Sequence, residues 1–181
     1  RLNEFPILIR SNLAISIVHK VLKAGIRPHS DYAYPRNPFG FSTNYRGREK
    51  YQNGDIEIIT SVGTQYVSRK DVTKTDIIDS YKILIGRLVP SNGELDVDPK
   101  DGYKVITDTR LIGPGQINTE TYLDIGVFAT ETEAQNFEKY LHTKFARFLL
   151  RQAVSSVNIT RESFRFVPHE DFSEEWPDRR L

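Results

Sequence analysis

The sequence predicts an α+β fold, in which a mixed or antiparallel β-sheet region lies between an N-terminal helix and a long amphipathic C-terminal helix. Two patterns predict it: apolar residues recur at helical spacing near both ends of the chain, and short β-branched or aromatic runs bounded by Gly, Asn or Asp fill the middle. The composition agrees. With 38% hydrophobic and 27% charged residues, ten Phe, nine Tyr and one Trp, the 181-residue chain is rich enough in large apolar side chains to fold around a buried core.

Taken in order, Leu13, Ile17, Val18, Val21 and Leu22 set one face of a helix over Ser11 to Ala24. Ser11 is placed to cap it and Gly25 to end it in a left-handed turn. Arg27-Pro28-His29-Ser30-Asp31 interrupts the pattern. The proline-punctuated stretch Tyr34 to Phe41 then carries three aromatics, which predicts a docked loop rather than a linker. Strands are expected over Asp55 to Thr60, Thr64 to Val67 and Tyr81 to Gly86, followed by a mobile excursion over Pro90 to Gly102 and a strand over Tyr103 to Thr107. Gly113-Pro114-Gly115 reads as a turn and Thr121 to Phe128 as another strand. From Glu131 to Ser155, Phe137, Tyr140, Leu141, Phe145, Phe148 and Leu149 form an aromatic stripe. Thr130 and Glu133 make a capping box at its start. A last strand, Ser163 to Val167, precedes an acidic tail. One domain is expected over 1–181, with a helical lead-in (1–30), a loop-rich β part (31–118) and a strand–helix–strand close (119–181).

Several function classes find no support. The chain has no cysteine, hence no disulfide framework, thiolate metal cage or Cys nucleophile, and a reducing compartment such as the cytoplasm is expected. The longest uncharged stretch near the start is about half a membrane span, so no membrane partner is expected. There is no methionine, and the sequence opens Arg1-Leu2-Asn3, so a piece of a longer protein is expected. Phosphate-binding loops, the Gly-x-Ser-x-Gly elbow, the His-Glu-x-x-His zinc motif and the dinucleotide fingerprint are all missing. His19, His29, His142 and His169 lack metal-ligand spacing and are expected to be surface or structural residues.

Two short patterns need weighing. Asn37-Pro38-Phe39 is similar to the Asn-Pro-Pro-aromatic loop with which adenine amino-methyltransferases hold an extruded base. It lacks the second proline and follows no cofactor-binding βαβ unit, so a structural turn is the better reading. Asp79 with Asp98-Pro99-Lys100 mimics a metal-dependent nuclease pattern, but Pro99 spoils the strand such a site needs.

The basic residues carry more information in their placing than in their number, since the formal charge is only +1. Arg36, Asn44, Arg46, Arg48 and Lys50 cluster with Tyr45 and Tyr51. Such a mixture suits duplex DNA, because Arg and Lys neutralise phosphates while Arg and Asn pair with guanine and adenine edges, although composition alone slightly favours a solvated loop whose charges only aid solubility. Lys139, Thr143, Arg147 and Arg151, with Lys144, form a second basic group on the expected helix, which complementarity to the helix dipole explains equally well.

Three stretches then resemble the C-terminal region of bacterial type II restriction-modification adenine methyltransferases: Asn37-Pro-Phe-Gly-Phe-Ser-Thr-Asn44, Thr119-Glu-Thr-Tyr-Leu123 with Gly126, and Tyr140-Leu-His-Thr-Lys-Phe-Ala-Arg-Phe-Leu149. Ser163-Phe-Arg-Phe-Val-Pro168 and Asp171-Phe-Ser-Glu-Glu-Trp176 look like the close of the same region. The resemblance runs in order from about Pro38 onward. It implies a non-catalytic target-recognition domain that holds double-stranded DNA beside an upstream methyltransferase domain. S-adenosylmethionine is then a cofactor of that parent protein, with none expected in this piece. The expected DNA-binding set is Arg36, Asn44, Arg46, Arg48, Lys50, Lys144, Arg147 and Arg151. Two other readings compete: a nuclease domain using Asp79, Asp98 and Lys100, and a structural module whose aromatic surface, Phe148 included, docks on the methyltransferase half.

Overall fold

The computed structural model describes Ile9 and residues 11–90, 97–98, 102–154 and 156–176, and it has the expected α+β composition. A 3-10 turn, Asn12–Ala14, leads into helix α1 (Ile15–Lys23), and Gly25 beyond it has φ +72°, the left-handed stop the sequence predicts. Ser11 stands at the turn's N-cap without a side-chain cap hydrogen bond, so it does not cap as expected.

Two three-stranded sheets follow. In the first, β1 (Asp55–Thr60) is central, antiparallel to β2 (Gly63–Ser68) and parallel to β7 (Gln116–Asn118). In the second, β3 (Tyr81–Gly86) is central, antiparallel to both β6 (Arg110–Ile112) and β8 (Tyr122–Phe128). Much of the excursion expected over Pro90 to Gly102 lies outside the described residues, but Val97–Asp98 (β4) pairs with Gly102–Tyr103 (β5). The strand expected over Tyr103 to Thr107 is therefore confined to its first residue.

Alternation explains the first sheet's core. Ile56, Ile58, Val67 and Ile117 are buried with Phe39, Phe41 and Ile78, so the aromatic loop is docked against the sheet as its composition predicts. Ile59, Leu84 and Ile112 form a smaller cluster that unites strands of both sheets. The largest cluster joins β3 and β8 to α1 and the C-terminal helices.

The long helix is a correction. In place of one helix stand two, α2 (Glu131–Leu141) and α3 (Lys144–Ala153), and Ser155, where the expected helix ended, lies outside the described residues. The capping box of Thr130 and Glu133 starts the first as expected, while Thr143, extended at φ −65° and ψ 151°, starts the second by accepting a hydrogen bond from Ala146 N. A threonine able to satisfy a helix N-terminus competes with continuation of the preceding helix. The break still buries the stripe: Phe137, Tyr140, Leu141 and Leu149 are in the core, with Phe145 and Phe148 half-buried against it. Ser163 to Val167 is also not a strand; Arg161–Phe164 is a 3-10 turn started by Thr160 and Ser163, and the adjacent pairs Ser163–Phe164 and Phe166–Val167 are all buried, which the two-sided alternation of a strand on one core does not give.

A β-bulge in β8 organises the buried polar groups. Ile83 pairs with Gly126 and Leu84 with Asp124, so Ile125 is the extra residue. Its freed carbonyl accepts a hydrogen bond from His29 Nε2, and His29 Nδ1 lies 2.8 Å from His169 Nδ1. Asp124, 1% exposed, accepts Asn118 Nδ2 at 3.1 Å. Lys82, fully buried, donates to the carbonyls of Ile77, Ile78 and Ser80 at 2.7–3.0 Å.

Candidate nucleic-acid interface

The loop carrying the basic cluster is bound along the edge of β2. Arg48 and Tyr66 exchange backbone hydrogen bonds of 2.8 and 2.9 Å, and Gly47 N donates to Gln65 Oε1 at 2.9 Å. Gly47 has no alternative residue here, since a Cβ would stand 2.6 Å from Tyr66 O and 3.2 Å from Ile58 Cγ2. Its Cα therefore faces the core side, and alternation turns Arg48 to the opposite side.

Register then places side chains in a row. Arg48 is opposite Tyr66, Tyr66 opposite Glu57, and Glu57 opposite Gln116. Directly opposed residues share a face, so an Arg, a Tyr, a carboxylate and an amide stand side by side on the solvent face of the first sheet. Arg48 Nε and Nη2 donate to the two carboxylate oxygens of Asp55, the neighbour of Glu57 on that face, and the guanidinium holds the Asp55 carboxyl below the usual carboxylate range. Tyr51 stands edge-on to Tyr66, ring centroids 5.7 Å apart. Arg110 of β6 reaches Thr64 Oγ1 at 3.5 Å at the margin. A recess of about 450 Å³ opens on this face, lined by Tyr51, Glu57, Tyr66, Pro114, Gly115 and Gln116 among others.

The expected DNA-binding residues divide. Asn44, Arg46 and Lys50 are exposed; Arg46 Nη1 donates to the Tyr45 and Thr43 carbonyls at 2.8 and 3.3 Å, which fixes it along the loop. Arg36 and Arg48 are engaged by carboxylates. Arg36 Nε meets Glu120 Oε2 at 3.0 Å and, by that hydrogen bond, holds Glu120 below the usual carboxylate range. On the second group the helix break bears directly. Lys144 opens α3, an end whose dipole disfavours a cation, whereas Lys139 and Arg151 close α2 and α3 as the dipole favours. Lys139 also pairs with Glu175, and half-buried Arg147 donates from Nε to Thr143 O at 3.4 Å. α3 packs on α2 and the 3-10 turn after it, while the basic loop packs on β2, so the eight residues occupy two separate elements.

Composition-based reasoning missed Glu57, Tyr66, Gln116 and Arg110. The signal was present: Asp-Ile-Glu-Ile alternates polar and apolar, so Glu57 had to oppose the buried Ile56 and Ile58. Gln116 could not be placed, because its parallel strand is only three residues long.

The stretches that carry the resemblance act as framework. Glu120 N donates to Phe41 O at 2.9 Å and Glu120 Oε1 accepts Thr43 N at 3.4 Å, joining the first stretch to the second. Tyr140 Oη donates to Pro168 O and Asn136 Nδ2 to Phe172 O, while Trp176 stacks on Phe145, joining the helices to the closing segments. Asn37 has φ +58° and Gly40 N donates to its carbonyl, a structural turn.

For the nuclease reading, Asp79 is held by the Arg69 guanidinium, which keeps its carboxyl low, and the Asp98 side chain and Lys100 lie outside the described residues. No cluster of three metal-ligating side chains occurs among the described residues. Among them, too, no helix is long and apolar enough to cross a membrane. Comparison with protein-family models, curated proteins and solved structures gives no match to this chain.

Proposed function

We propose that this chain is the non-catalytic DNA target-recognition part of an adenine-specific restriction-modification methyltransferase, acting on double-stranded DNA in the cytoplasm. Methyl transfer and S-adenosylmethionine binding belong, in this reading, to the methyltransferase part of the same protein. The single observation that carries it is the row Arg48, Tyr66, Glu57 and Gln116, which presents donors and acceptors on a solvated sheet face flanked by exposed Arg46 and Lys50 and by Arg110. Phosphate contacts then come from Arg46, Lys50 and Arg110, and base-edge contacts from Tyr66, Glu57 and Gln116, beside which Arg48 is held by Asp55. The ordered resemblance from Pro38 onward supports the same class.

A salt series tests it. Binding of a labelled duplex by the chain should weaken log-linearly with salt, and Arg46→Ala or Lys50→Ala should each lower the slope by about 1. Absence of duplex binding even at low salt rules the reading out.

A further inference from the structure

Within that row, we infer that Glu57 and Gln116 together read the major-groove edge of one adenine, with Tyr51 and Tyr66 walling the recess that receives it. The inference rests on the DNA-binding reading and adds to it the identity of a base and of the residues that select it.

Gln116 is fixed in one orientation by its neighbours. Gly113 N donates to its Oε1 at 2.7 Å, so the other terminal atom is the amide nitrogen, and Nε2 donates one proton to Glu57 Oε2 at 2.5 Å. That accounts for one of the two amide protons and one of the two carboxylate oxygens. Among the described residues the second N–H of Gln116 and Oε1 of Glu57 have no protein partner, and neither does Glu57 have a cation, because Arg48 is committed to Asp55. The pair therefore offers one acceptor and one donor from adjacent strands, on the lining of a recess of about 450 Å³.

Adenine is the base whose major-groove edge is complementary: its N6 amino group donates and its N7 accepts. Guanine presents two acceptors there, which would set an electronegative oxygen against the Glu57 carboxylate. Cytosine has the amino donor without the neighbouring acceptor, and thymine has only the O4 acceptor beside a methyl group. The two tyrosines narrow the approach. Tyr66 is half-buried and follows the row, while Tyr51, 60% exposed and perpendicular to it, stands at the rim.

The test begins with selection of bound duplexes from a randomised pool by the whole chain. The expected result is a preferred site containing an adenine at which replacement by 7-deazaadenine, which lacks N7 as acceptor, weakens binding roughly ten- to hundredfold. Glu57→Gln, which keeps the shape of the side chain and its bond to Gln116, should relax the choice at that same position. The modified duplex tests the protein unaltered, so a folding defect in the variant cannot hide the answer. Selection of cytosine at the position lost in Glu57→Gln, indifference to 7-deazaadenine at every adenine, or unchanged discrimination by a folded variant overturns the adenine assignment while leaving DNA binding intact. A native chain that binds no duplex overturns both.

Discussion

The buried ionisable residues have an opposing effect on stability that follows from their placing. Burial pushes the Asp124 carboxyl up to about 7 from 3.8, so the folded chain keeps a proton there that the unfolded chain releases. Its contribution to stability therefore declines as pH rises through that window. His29 acts in the other direction. Burial lowers it from 6.5 to about 3, so below pH 6.5 the unfolded chain takes up a proton that the folded chain refuses, and stability declines on acidification. His169 is lowered as well, chiefly by burial. Between pH 3.8 and 6.5 the aspartate and the histidine offset one another. Replacing Asp124→Asn removes one side of that balance. Chemical denaturation across this window should show the variant losing stability on acidification more steeply than the native chain, the two diverging by at most about 1.4 kcal/mol per pH unit. Carboxylates paired with arginine respond alike in both chains and cancel in the difference. Parallel curves would mean that Asp124 stays charged in the fold.

Secondary-structure elements show where sequence patterns suffice and where they stop. The capping box at Thr130, the left-handed Gly25 and the strands Asp55–Thr60 and Tyr81–Gly86 were legible because each depends on neighbours in the chain. The break at Thr143 was not. Its apolar stripe continues across the break, so periodicity alone cannot distinguish one bent stripe from one straight helix, and the capping threonine looked like one more polar position. The short strands Arg110–Ile112 and Gln116–Asn118 escaped because three residues carry too little alternation, and their partners are distant in sequence. The loop bound along β2 depends on Gly47, which had no distinguishing pattern. Gly47→Ala should force the loop off Tyr66, costing roughly 1–3 kcal/mol and weakening duplex binding together. Melting of the variant, with a duplex titration below its transition, checks this; native stability would mean that the backbone yields without loss.

At the scale of the whole molecule the two sheets are coupled by a few residues. Ile59 from the first, with Leu84 and Ile112 from the second, are each at most 1% exposed and pack together. Leu84→Ala should cost about 2–5 kcal/mol, and because the cluster is shared, both sheets should melt in one transition that shifts as a whole. Hydrogen exchange read strand by strand measures it, and protection lost in β3 and β8 but kept in β1 would show independent units. The fold class was legible at this scale from composition and periodicity, yet the arrangement into two sheets was not, since the parallel pairing of β1 with β7 spans some sixty positions. The candidate interface was legible in part: the sequence located the basic loop, whereas the row opposite it arose only from strand register.

That row has an evolutionary consequence. Along β1, even positions 56 and 58 are anchored in an aromatic foundation, whereas position 57 looks outward, and Tyr66 and Gln116 join it from the strands on either side. Because Glu57 and Gln116 are bonded to each other, a gene would exchange these outward letters as a pair, trading one recognition preference for another, while the inward letters preserve the scaffold. Descendants of this chain would be expected to diverge fastest at alternate residues of the same strand.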